Sequence, residues 1–181
     1  MRPRAFRRSD LAFAPVLYED DYPEPDFKAI VSGANNQQPG EALNACNALL
    51  AKGKLAPETQ KKATQIKAVL EKRAKRLLEV GKELAADDAL LANFYGKLFV
   101  KQLGPLPEGK ELAAALGAAF GKPEFGKGLT YHAQLEKNFR KIFNRGAKAD
   151  PAMFPFLEEM KGACGEKSLL GGMAGDFLKL K

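Results

Sequence analysis

The sequence predicts an all-α fold. About seven helices form an irregular bundle or a short helical-hairpin solenoid behind an extended N-terminal arm. Three observations predict it. From Pro39 onward apolar residues recur at spacings of three and four, which lines them along one helical face. Proline and glycine sit at the ends of those stretches, where helices start and stop. No stretch alternates apolar and polar residues at period two, and Val, Ile and Thr are few.

The arm is read over residues 1–26 and a single α-helical domain over 27–181. Residues 1–9 carry four arginines and no acid, and residues 10–26 carry six acids and no base. Pro23 and Pro25 remove backbone donors and bias their predecessors to extended backbone, so Tyr22–Asp26 is not helical. The arm is expected to lack regular structure and to be held through Phe13, Val16, Leu17 and Tyr18.

A short helix is expected over Phe27–Ser32, then a polar loop, 33–38. Pro39–Lys52 places Ala42, Leu43, Cys46, Leu49 and Leu50 on one face and stops at Gly53. Pro57–Ala86 is the most regular segment. Its Ala63, Ile66, Leu70, Ala74, Leu77, Gly81 and Leu84 fall within about 80° of arc, on a rod roughly 45 Å long. Asp87 or Asp88 caps a helix running through Leu103. Helices follow over Glu108–Phe120, Leu129–Asn144, Pro151–Gly162 (capped by Asp150) and Leu169–Leu180.

Composition excludes several classes. The 181 residues carry Lys+Arg 29 against Asp+Glu 22, a net charge of +7. Such a chain can bury a core without disulfides or metal. No apolar run approaches the ~18–20 residues of a spanning helix. Cys46 and Cys164 form no C-x-x-C, which removes the redox and zinc-ribbon readings; both are expected as free thiols, the alternative being a 46–164 disulfide in an oxidising compartment. Arg2, Arg4, Arg7 and Arg8 give the start the look of a transit peptide. Arg7-Arg8 also suggests a twin-Arg signal. Leu11–Leu17 contains Pro15 and is too short for a secretory core. The compartment stays open, organellar and envelope targeting included.

Leu77-Leu78-x-x-Gly81, Gly109-Lys110-Glu111-Leu112-Ala113, Lys122-Pro123-Glu124-Phe125 and Leu135-Glu136-Lys137 span about 100 residues. Together they resemble the helical regions that accompany thioredoxin-like domains in some bacterial envelope proteins. The resemblance implies a helical interaction or spacer region. Redox activity is not implied, since the C-x-x-C is absent. The pair of helices around Gly40–Glu58 has the rhythm of a helical-hairpin repeat, without the 34-residue period of a true tetratricopeptide repeat.

Few residues offer chemistry. Gly121–Lys127 fits G-x-x-x-x-G-K, but Gly128 replaces the Ser/Thr that would bind Mg²⁺, and a helix precedes it. It reads as a helix–helix loop. His132 lies on the apolar side of its helix, with Tyr131, Gln134 and Glu136 read as facing elsewhere. Without an oriented partner it is no general base. The acid pairs Asp87-Asp88 and Glu158-Glu159 diverge by 100° within each pair, so they read as caps and surface. Phe94/Tyr95/Phe99 and Phe139/Phe143/Phe154/Phe156 read as core. No catalytic residue, cofactor or metal is expected.

The strongest non-core signal is basic. Residues 61–82 carry a net +6, and Lys61, Lys62, Lys72, Arg73, Lys75 and Arg76 fall in an arc of about 160° opposite the apolar stripe. Such a face suits phosphates or an acidic protein. Stacking aromatics are absent from it, which counts against reading single strands. The expected function is therefore a non-enzymatic helical interaction module, an adaptor or small subunit. The alternative is a basic nucleic-acid-associated protein using the 61–82 face.

Overall fold

The computed structural model describes residues 17–142 and 150–180, and every regular element among them is helical. Helices α1 (Lys28–Asn35), α2 (Pro39–Leu50) and α3 (Pro57–Asp87) come first. A short α4 (Ala89–Leu91) runs through a π-helical turn, Ala92–Gly96, into α5 (Lys97–Leu103). Then follow α6 (Pro107–Phe120), α7 (Pro123–Ile142), α8 (Phe154–Cys164) and α9 (Leu169–Leu178).

The chain gathers into two compact units. One holds the described chain up to Gly81 together with Lys97–Ala113. The other holds Lys82–Gly96 with the described part of Ala114–Lys181.

In the first unit α1 packs on α2 and α2 on α5. Two glycines permit this. A Cβ on Gly40 would lie 2.0 Å from the Leu103 carbonyl oxygen, and one on Gly33 would lie 2.9 Å from the Ala42 nitrogen. Gly33 explains why α1 continues to Asn35 where the sequence predicts a loop from 33. Packing against α2 overrides the weak helix propensity of Gly33 and Asn35. The stripe on α3 is buried as its spacing requires, Leu70 and Ala74 completely. Burying a leucine in full stabilises by about 1.5–3 kcal/mol relative to leaving it exposed.

In the second unit α4, α7, α8 and α9 enclose Leu90, Leu135, Ile142, Leu157, Met160, Leu170 and Ala174. Asp150 caps the turn before α8 by accepting from Ala152 N–H, 3.0 Å. Ser168 caps α9 through Gly171 N–H, also 3.0 Å. The buried Asp88 caps α4 through Leu91 N–H, 2.9 Å, and accepts as well from Leu169 N–H.

Three further elements depart from the sequence reading. The helix predicted through Leu103 carries the π turn, for which no residue pattern is diagnostic. Helix α7 starts at Pro123, six residues before the predicted Leu129. Pro123 suits a first helical position. Phe125, 7% exposed, anchors the added turns against Phe120, with ring centroids 4.6 Å apart. The third departure is the arm. Residues 1–16 lie outside the described chain, Phe13 and Val16 among them. Residues 17–26 are not shapeless. Glu19–Asp21 and Pro25–Phe27 form 3-10 turns, and Leu17 is bonded twice to Asn35. Tyr18 does not lie on the body, being 68% exposed.

Candidate interaction surfaces

At 100° per residue the six basic residues of α3 divide into two sets. Lys61, Lys72 and Lys75 point almost directly away from the buried stripe, and all three are exposed. They extend over roughly 21 Å of helix. Lys62 and Arg73 stand at one border of the stripe, with Arg76 between the two sets. Arg76 pairs with Glu79 at 3.5 Å. The expected arc is thus real in direction but uneven in accessibility.

Lys62 is engaged by its own chain. Its ammonium donates to Glu24 Oε1 at 3.2 Å and to the Asp21 carbonyl at 3.3 Å, and lies 5.8 Å from the centre of the Tyr22 ring. A backbone hydrogen bond and then the Lys62 ammonium hold the Glu24 carboxyl below the usual carboxylate range. Arg73 is half-buried, and burial lowers its pKa. Its Nη2 makes one long bond, 3.5 Å, to Gln37 Oε1, and its buried Nε has no partner. Gln37 itself adopts a positive φ of 59°, unusual for a residue with a side chain.

A second surface lies in the other unit, and the sequence reading missed it. Leu90, His132, Leu135, Glu136, Phe139, Leu169, Leu170 and Met173 line a groove of about 400 Å³. Leu90, Leu135 and Leu170 are its buried floor. Phe139 and Leu169, 48% and 43% exposed, stand at its rim. Phe94, 59% exposed, meets the His132 ring edge-on at 6.4 Å. Phe94 and Phe139 are therefore not core, contrary to the sequence reading, whereas Phe99 is buried. Phe143 lies outside the described residues. The helical wheel holds the missed signal. Phe139 and His132 lie about 40° and 60° to one side of Leu135, at the edge of the stripe.

His132 also corrects an expectation. Glu136, one turn on, lies on its side of α7, with Oε1 3.9 Å from Nε2. An i, i+4 pair differs by only about 40° around the helix.

The remaining candidates take structural roles. Lys127 and Gly128 are inside α7, so Gly121–Lys127 is not a phosphate-cradling loop. Asp87 is exposed, and Asp88 is a cap. Glu159 accepts from Tyr131 Oη at 2.6 Å, which pushes the phenol up to about 12. Cys46 and Cys164 are free thiols. Burial pushes Cys46 up to about 11. Burial and then Asp88 push Cys164 up as well. Among the described residues no three His, Cys, Asp or Glu side chains gather as a metal site, and no helix is long and apolar enough to cross a membrane.

Comparison with protein-family models, with curated proteins and with solved structures finds no match to this chain. The class that the described residues define is that of an all-α protein with a basic helix face and an apolar groove.

Proposed function

We propose that this protein is a non-enzymatic helical interaction module, working as an adaptor or small subunit of a larger assembly. The observation that carries this reading is the groove edged by Phe139 and Leu169, with Phe94 beside His132. Large apolar side chains clustered in water are costly and mark protein contacts more often than solvated surface. The chemistry suits an amphipathic helix whose apolar face lies across Leu90, Leu135 and Leu170. The packed pairs α1–α2 and α8–α9 support a scaffold of helical hairpins, like the paired helices of tetratricopeptide repeats without their period. The resemblance to helical regions beside thioredoxin-like domains agrees with an interaction or spacer role.

A second reading rests on Lys61, Lys72 and Lys75, exposed along one side of α3. They suit nucleic acid or an acidic protein. Phosphate contacts alone lose affinity steeply with salt. Weak nucleic-acid binding at low salt, gone near physiological salt, is therefore expected from net charge.

The test compares full-length chains expressed in their native cells. Phe139→Asp with Leu169→Asp should remove the co-purifying protein while leaving helicity unchanged. Lys61→Glu with Lys72→Glu and Lys75→Glu should leave it bound, with a slower association rate if the partner is acidic. A partner retained by the groove variant, or tight salt-resistant DNA or RNA binding by the wild type, overturns the reading.

A further inference from the structure

The acidic segment at the start of the described chain is seated on the border of α3. Its C-terminal root is the fully buried Phe27, with the Tyr22 ring 5.4 Å away. At the other end Leu17 N–H donates to Asn35 Oδ1 and Asn35 Nδ2 donates to the Leu17 carbonyl, both at 3.0 Å. Between these points Lys62 holds Glu24 and the Asp21 carbonyl. Lys52 pairs with Asp26 at 2.6 Å. Glu19, Asp20 and Asp21 stand exposed.

Two properties make this a displaceable occupant. It is weakly held, because from Tyr18 to Asp26 no residue is buried, its Lys52–Asp26 pair is solvent-exposed and its Lys62–Glu24 pair only half-buried. It also leaves the border of α3 partly used. Arg73 lies eleven residues from Lys62, about 16 Å along the same side of the helix. The Arg73 Nε is a buried donor with no acceptor, and such a group is costly to leave unpaired. Val69, between them, is 49% exposed. A chain bearing carboxylates and an apolar side chain fits this order of cation, apolar side chain and guanidinium.

We propose that the border of α3 from Lys62 to Arg73 is a docking surface for an acidic segment of a partner protein, and that residues 17–27 are its intramolecular occupant. This goes beyond the groove reading and does not depend on it. The two surfaces belong to different units and are tested by different variants.

The experiment uses the full chain and a fluorescent peptide with the sequence of residues 17–27, followed by anisotropy. The unlatched chain carries Asn35→Ala, Glu24→Gln and Asp26→Asn and keeps Phe27. It should bind the peptide at least tenfold more tightly than the wild type does. Lys62→Glu in that background should abolish the gain, and the same peptide with Gln and Asn for its acids should not bind. Should the triple variant lose helicity, Asn35→Ala alone answers the question by the same comparison. Hydrogen exchange over 17–26 should rise in the unlatched chain, reporting release of the strap. Equal affinity for latched and unlatched chains overturns the proposal. So does binding that survives Lys62→Glu. An oligonucleotide that gains from unlatching more than the peptide does would also overturn it, by assigning the surface to nucleic acid.

Discussion

The Asp88 carboxylate accepts a hydrogen bond from the backbone N–H of Leu169, 81 positions along the chain. Its other oxygen accepts from Leu91 N–H, so one buried side chain caps α4 and ties down the first turn of α9. The sequence offers Asp88 as a cap for the helix that follows it. Only the fold brings the second helix terminus to the same carboxylate.

Asp88→Ala removes both acceptors from donors that are at least partly buried. The expected cost is about 2–4 kcal/mol, the sum of two lost caps of roughly 1–2 kcal/mol each. Asp88→Asn keeps one carbonyl acceptor and should cost about half as much. Urea unfolding followed by circular dichroism measures both. Equal, negligible effects would show that neither bond matters to stability.

Leu70 tests the stripe. It is fully buried at mid-helix in α3, whereas its neighbour Val69 is half exposed. Leu70→Ala should cost about 2–5 kcal/mol, and Val69→Ala about 0.5 kcal/mol or less. The same unfolding measurement separates them.

Two glycines should respond with opposite sign. Gly40→Ala drives a Cβ to 2.0 Å from the Leu103 carbonyl oxygen, a backbone atom that cannot swing aside. A loss of about 1–3 kcal/mol or more is expected as α2 is pushed off α5. Gly117 is an exposed position inside α6 with nothing within 4 Å of an added Cβ. Gly117→Ala should raise stability by about 0.5–1 kcal/mol, because alanine loses less backbone entropy on entering a helix. Thermal melts of the two variants check the sign.

The thiols should differ in reactivity. Cys46 is fully buried and Cys164 half-buried. At pH 8 iodoacetamide should therefore label Cys164 first, with Cys46 reacting only as the protein unfolds. The folded pKa of Cys46, about 11, lies above the ordinary 9.0. Its contribution to stability is whole below pH 9 and is lost as the pH climbs through 11. Denaturation between pH 8 and 11 should show a fall that Cys46→Ala makes shallower, the raised Cys164 and Tyr131 supplying the rest.

The all-α class, the helix order and the buried side of α3 follow from the residues alone. Local spacing decides them: seven positions at three- and four-residue steps leave one face that water disfavours, whatever the neighbours are. Pro39, Pro57 and Asp150 mark their helix starts for equally local reasons. Long-range proximity decided the rest. The π turn at Ala92–Gly96, the early start of α7 and the extension of α1 through Gly33 depend on what lies opposite each segment. The two-sided role of Asp88 needs α9 beside α4. The engagement of Lys62 and the unpaired Nε of Arg73 need the acidic segment and Gln37 to fold onto α3. The helical wheel puts these two cations at the border of the stripe, about 100° from Lys61 and Lys72. Only the folded chain shows what engages them, because a charge's availability depends on what packs beside it, and residues 21, 24 and 37 are far from 62 and 73 in sequence.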